Sequence, residues 1–220
     1  DAVEVRLSDI IPERESGLEK KIEDMLAELR AKDEETFLHS IRVSLISGLI
    51  AGNMDIMGKK DYVDDIRLGA LLHDVGKIQI PDEILRKPTR LTDEEYEIIK
   101  THTRHDLKVK RLSDILSVVE QVIYEHHERW DGSGFPQMLK GHEISLAGRI
   151  VAVADSFDAM RSERPYKKSI PFDKVVAEIR DCSGIKYDSE VVAAFLNCAE
   201  EAAGGLIPAR GKPANPEGYI

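Results

Sequence analysis

His73 and Asp74 close the apolar run Leu68-Gly69-Ala70-Leu71-Leu72. An imidazole and a carboxylate at the end of a buried helix are costly to desolvate without partners. A metal ion supplies such partners. A single hydrogen-bonded histidine at a helix end is the plainer alternative, and the dipeptide by itself favours it. Other residues shift that balance. His126 and His127 are adjacent and follow Val118, Val119, Val122 and Ile123. Neighbours on a helix point about 100° apart, so these imidazoles suit two neighbouring metals, or one metal and one substrate contact. Asp155 ends the run Ile150-Val151-Ala152-Val153-Ala154, where a carboxylate is either buried with a cation or turned outward. His102 follows Tyr96, Ile98 and Ile99, while Glu35 and His39 stand at i and i+4 on one helix face. Nitrogen and oxygen donors thus come from at least five helical segments, with no cysteine among them. Such a set suits Fe, Mn or Zn in a catalytic, multi-metal site better than a structural zinc knot.

The elements that must gather these donors read as helix after helix. Leu18, Ile22, Met25, Leu26 and Leu29 predict an amphipathic lead-in helix. It either packs on the domain or pairs with a second copy as a homodimer. A second helix is expected over 34–52, with Phe37, Leu38, Ile41, Leu45, Leu49 and Ile50 on its buried side. A third is expected from about Asp61 to Asp74, stopped by Gly76. Ile80-Pro81-Asp82-Glu83 marks a short helix with Pro in its first turn. Thr92-Asp93-Glu94-Glu95 is a capping-box pattern. Further helices are expected near 106–117, 117–128, 145–160, 172–182 and 188–202, with a Gly/Pro loop over Arg129–Pro136. The expected fold class is all-α, a helical bundle, and no strand pattern stands out. The organisation reads as a lead-in helix over 1–32, a metal-site domain over 33–203 and an irregular tail over 204–220.

The 220 residues carry a formal net charge of −10. Such a chain is a poor non-specific binder of polymeric nucleic acid or anionic lipid. No apolar run approaches the ~20 residues of a membrane span. Two cysteines without ligand spacing, Cys182 and Cys198, read most simply as core residues and favour a reducing cytoplasm. The chain begins Asp-Ala-Val-Glu rather than with Met, which leaves room for an upstream sensory domain.

The ordered motifs resemble the HD-GYP family, a branch of the HD phosphohydrolase superfamily. The matching text is Leu71-Leu72-His73-Asp74-Val75-Gly76-Lys77-Ile78, Ile98-Ile99-Lys100-Thr101-His102 and His126-His127-Glu128-Arg129-Trp130-Asp131-Gly132-Ser133-Gly134-Phe135-Pro136. It continues with Arg149-Ile150, Ala154-Asp155-Ser156-Phe157-Asp158-Ala159-Met160 and Arg164-Pro165-Tyr166-Lys167, covering roughly residues 35–200. The resemblance implies an HD-domain helical bundle that hydrolyses the bacterial second messenger cyclic di-GMP to linear pGpG, with GMP as a further product, by a metal-bridging hydroxide. By position it implies His39, His73, Asp74, His102, His126, His127 and Asp155 as metal ligands. Glu35 would add the carboxylate that separates three-metal from two-metal members; alternatively it is a solvated acid in Asp33-Glu34-Glu35. The implied ions are two or three divalent cations, Fe or Mn. Asp74 and Lys77 would be catalytic, and Lys77, Arg164 and Lys167 would hold phosphate. Arg161 and Lys168 stay surface cations.

One position departs from the family pattern: Gly134-Phe135-Pro136 stands where the signature ends Gly-Tyr-Pro. The change removes a hydroxyl and no ligand. Two alternatives stand beside a cyclic di-GMP enzyme, the first favoured mildly by this change and the second by how widely HD chemistry is shared. One is a catalytically weak or inactive metal-binding signalling module with a protein partner at this loop. The other is a phosphodiesterase for another cyclic dinucleotide. Trp130 is read as a packing anchor, and His105 and His142 as surface or loop histidines.

Overall fold

The computed structural model describes residues 16–56, 60–104, 117–162 and 169–204. Arg164, Lys167, Lys168, His105, the helix expected near 106–117 and nearly all of the expected tail lie outside them. The described residues form an all-helical bundle. Its α-helices are α1 (Ser16–Lys32), α2 (Glu34–Gly52), α3 (Lys60–Leu72), α4 (Asp82–Leu85), α5 (Asp93–Lys100), α6 (Ser117–Glu125), α7 (Leu146–Arg161), α8 (Phe172–Asp181) and α9 (Ser189–Ala203). Single 3-10 turns cover Val75–Gln79, Thr101–Thr103 and Gly141–Glu143.

Helix starts follow the capping chemistry of the sequence. The Asp33 carboxylate accepts from the Glu35 N–H to open α2, and Thr92 and Glu95 close a capping box on α5. Helix ends differ from expectation. α3 stops at Leu72 and α6 at Glu125, so His73-Asp74 and His126-His127 occupy the turns just beyond. Two side chains explain this. His73 Nδ1 donates to the Ala70 carbonyl at 2.6 Å. His126 Nδ1 donates to the Val122 and Ile123 carbonyls at 3.1 and 3.0 Å. Carbonyls orphaned at a helix end are satisfied by the histidines themselves.

α2 is the hub, packing on α1, α3, α7 and α9. One core joins α2, α3, α7, α8 and α9 around Phe157 and Phe195. A second joins α1 to Phe37, Ile41, Leu68, Leu71, Leu72 and Val75. The apolar face of α1 therefore packs on its own chain, with Ile22, Leu26 and Leu29 at most 1% exposed. Leu26→Ala is expected to destabilise the protein by about 3 kcal/mol, read from the urea midpoint. A loss under about 0.5 kcal/mol would make α1 an appendage.

Candidate metal centre

Five stretches of chain converge beneath one cleft. α2 brings His39, the turn after α3 brings His73 and Asp74, and the 3-10 turn after α5 brings His102. The turn after α6 brings His126 and His127, and α7 brings Asp155. His73, Asp74, His102 and His126 are each at most 2% exposed. Donor atoms fall into three overlapping groups, His39/His73/Asp155, His73/Asp74/His126 and His102/His126/His127, each within 4.8 Å. Ring centroids lie 4.9 Å apart for His73–His126 and 4.1 Å for His126–His127. Gly76 makes the closest approach possible: a Cβ there would stand 2.0 Å from the His102 carbonyl oxygen. Any side chain would push apart the two turns that carry Asp74 and His102.

The imidazoles are set as acceptors. His73, His126 and His102 each donate Nδ1–H to a carbonyl behind them, His102 to Ile99 at 2.6 Å. Their Nε2 lone pairs then face the centre. Burial pushes His102 down to about 3 and His127 to about 4, and drives His126 well below its ordinary value. Burial opposes charge on Asp74 too, but Lys77 Nζ at 2.6 Å and the flanking His73 hold its carboxyl well below the usual range. Among buried atoms, His73 Nε2 and Asp74 Oδ1 have no hydrogen-bond partner. Buried acceptors without donors are rare in native structures. A cation satisfies both, and nitrogen plus carboxylate donors suit Fe, Mn or Zn.

His39 behaves differently. Its Nδ1 contacts Asp158 Oδ2 at 2.7 Å and its Nε2 contacts Asp155 Oδ1 at 3.0 Å. Burial would lower its pKa, yet the two carboxylates win and raise it to about 9. The metal-free chain therefore carries an imidazolium here at neutral pH. Ligands must shed protons to bind. Metal loading at pH 7.5 is expected to release about one proton per chain from His39, read with an indicator dye in dilute buffer. His39→Gln should abolish that release, and an undiminished release would assign the proton elsewhere.

Asp158 was not among the expected site residues. Its carboxylate also accepts from Arg42 Nε at 2.7 Å and Nη2 at 3.0 Å. The signal was its i, i+3 spacing from Asp155, which puts both acids on one face of α7. Glu35 is placed on α2 near His39, but its Oε1 accepts from Arg42 Nη2 at 3.0 Å and it joins none of the three donor groups. Arg42, two turns further along α2, neutralises it instead.

Above the centre opens a cleft of about 550 Å³. Its floor is His102, His126 and His127, and Lys77, Lys100, Phe135 and Tyr187 are among the residues lining it. The Gly/Pro loop is tied down by Glu128, whose carboxylate accepts from the N–H groups of Gln137 at 2.6 Å and Leu139 at 3.1 Å. This places the Phe135 ring 4.8 Å from the His127 ring and under Lys100 Nζ at 5.4 Å. Packing of that kind needs a ring and no hydroxyl. Trp130 packs as an anchor between Arg149 and the exposed His142. Arg161 lies over the Phe157 and Phe172 rings. Cys198 is buried, whereas Cys182 is only partly covered rather than a core residue. No helix among the described residues is long and apolar enough to cross a membrane.

The sequence profile described as HD domain matches residues 27–191. A cyclic di-GMP phosphodiesterase of Thermotoga maritima is 48% identical over 183 residues, covering 82% of this chain and 49% of that protein. A 3'3'-cGAMP-specific phosphodiesterase 2 of Vibrio cholerae is 33% identical, covering 79% of this chain and 33% of that protein. The chain thus spans about half or less of the curated relatives it matches. An HDG"Y"P protein of Bdellovibrio bacteriovorus shares the fold at TM-score 0.59 and 22% identity, over 74% of this chain and 51% of that one. So does the HD domain of the Listeria monocytogenes phosphodiesterase PgpH, solved with cyclic di-AMP, at TM-score 0.59 and 16% identity over 86% and 100%.

Proposed function

The chain belongs to the HD domain family, and from that premise we propose that it is a metal-dependent phosphodiesterase that cuts cyclic di-GMP to linear pGpG, with GMP as a further product. One observation carries the reading: two buried acceptor atoms without donors, His73 Nε2 and Asp74 Oδ1, grouped with His126, which lines a cleft that also carries lysines. When bound, two or three Fe or Mn ions supply the Lewis acidity that makes water nucleophilic near neutral pH and offsets phosphate charge. His39, His73, Asp74, His102, His126, His127 and Asp155 would hold them. Glu35 joins as a further ligand where it exchanges Arg42 for an ion.

The chain's own side chains supply orientation and charge. Asp74 is held ionised in a buried place by Lys77, so its oxygens remain acceptors throughout the working pH range. Lys77, half of that pair, also lines the cleft, where its remaining ammonium hydrogens can meet a non-bridging phosphate oxygen. Arg164 and Lys167 complete the phosphate clamp in this reading. Phe135 packs against His127, with ring centroids 4.8 Å apart, and helps to hold that ring in the floor of the cleft. The two free cysteines, Cys182 and the buried Cys198, suit a reducing cytoplasm.

A second reading changes only the bases. Curated relatives at 33–36% identity are named 3'3'-cGAMP-specific phosphodiesterases. Protein purified without oxygen is expected to contain two to three Fe or Mn per chain and to hydrolyse cyclic di-GMP on the same sample. Faster turnover of the mixed GMP-AMP ring would move the substrate to the second reading. A folded, metal-free chain inert toward both, even after Mn is restored, would leave an adaptor role.

A further inference from the structure

Four cations line the cleft among the described residues: Lys77, Lys100, Arg129 and Lys186. They come from four separate segments of a chain whose net charge is −10. Three have carboxylate partners, Lys77 with Asp74 at 2.6 Å, Lys100 with Glu97 at 2.5 Å and Lys186 with Glu178 at 3.4 Å. The Arg129 guanidinium forms no side-chain hydrogen bond or ion pair among the described residues; it only acts at a distance on Asp131. Yet Arg129 and Lys186 are held as neighbours by the backbone. The Trp130 N–H donates to the Lys186 carbonyl at 3.0 Å, and the Asp131 N–H to the Ile185 carbonyl at 2.9 Å. Trp130 is itself fixed, its carbonyl accepting from Gly141 N–H at 2.9 Å and its ring meeting Arg149.

The two backbone hydrogen bonds bring both cations to one side of the same cleft, and an anion bound there offsets their mutual repulsion. Among the described residues Glu178, 54% exposed, pairs with the lysine alone; Asp131 acts on Arg129 only at a distance, and the carboxylate of Glu128, which also lines the cleft, is taken up by the Gln137 and Leu139 N–H groups. The remaining lining residue of that turn, Tyr187, spends its hydroxyl on Ser156. Resting on the phosphodiesterase reading, we infer that Arg129 and Lys186 form a second anion subsite. It binds the phosphate that is not being cut in a substrate that carries two. A cyclic dinucleotide places two phosphates in one ring, so the scissile one at the floor brings its twin into the same cleft. Arg129 supplies a planar fork and Lys186 a point charge, the pair of donors that suits a phosphodiester.

The test compares a substrate with two phosphates against one with a single phosphate. For the Mn-loaded protein, the ratio of kcat/KM on cyclic di-GMP to that on bis(p-nitrophenyl) phosphate is expected to fall about tenfold in Arg129→Gln and in Lys186→Gln, with the change in the cyclic di-GMP KM. Arg129→Lys should recover part of it. Fluorescence anisotropy with labelled cyclic di-GMP and chelator-treated protein gives a readout free of turnover. There the dissociation constant should rise by a similar factor and its salt dependence flatten. A KM and a dissociation constant within twofold of the unaltered protein in both variants would overturn the subsite, as would an unaltered chelated protein that fails to bind the probe. Failure of the unaltered, metal-loaded protein to cut either diester would instead overturn the phosphodiesterase reading, and the anisotropy titration would still decide the subsite.

Discussion

Asp74→Asn is expected to lower cyclic di-GMP turnover by about a thousandfold or more and to leave the purified chain at least one metal ion short. The substitution keeps the shape of the side chain and removes only its charge. Asp74 is 2% exposed, and its Oδ1 has no donor within the protein. An amide in that place turns one acceptor into an N–H₂ that points at neutral imidazole lone pairs. It also strips Lys77 of its 2.6 Å partner. His73→Ala should act in the same direction, because Nε2 of that ring belongs to two of the three donor groups. Far-ultraviolet circular dichroism separates this from unfolding, since α3 ends before either residue. An Asp74→Asn protein with full metal content and more than about half the parent rate would remove the centre from its proposed place.

Asp158→Ala should cost more stability than any other single change near the centre, about 3–5 kcal/mol. Asp158 is the shared acceptor for His39 Nδ1, for two nitrogens of Arg42 and for the Ser162 hydroxyl. Its pKa is pulled down to about 2: burial opposes the charge, and hydrogen bonds from His39 and Arg42 overcome it. The sign follows from that depression. The stabilisation is present above the ordinary carboxylate range and fades as pH falls toward 2. Truncation leaves His39 and Arg42, both largely buried, without the acceptor they share, so the melting temperature should fall by roughly 6–20 °C for a chain of this size. Metal affinity should also weaken ten- to hundredfold, because His39 loses the group that orients it. Asp158→Asn should fall between. A melting temperature within 2 °C or so of the parent would show that Asp155 alone holds His39.

The distance between sequence and structure varies from element to element. The helix over 34–52 and the cap at Thr92 were legible because apolar spacing and capping groups act over a few residues, and both reappear in α2 and α5. The convergence of His73, Asp74, His102, His126, His127 and Asp155 needed a resemblance. Spacing alone left each of them a rival explanation at a helix end. What stayed hidden was set by partners far along the chain. Asp158 looks like any acid on a helix until α2 brings His39 and Arg42 against it, 119 and 116 positions away. Glu35 reads as a ligand from its distance to His39, whereas its charge partner seven residues on draws it aside. The lead-in helix showed an apolar seam but not what would cover it; Phe37 and Leu72 do.

The three rings that donate Nδ1–H to carbonyls three or four residues behind them turn helix termination into a choice of tautomer. Ordinarily a coordinating imidazole is aimed by a supporting acid, which must itself be placed and kept ionised. Here the end of a helix does both jobs with backbone alone. The same arrangement is portable. A histidine set just past the last turn of an unrelated helix, with its ring folded back on the final carbonyls, presents the far nitrogen outward at no cost in extra residues. Nitrogen-15 spectra of this protein should show the matching fingerprint, three rings protonated at Nδ1 before any ion is added.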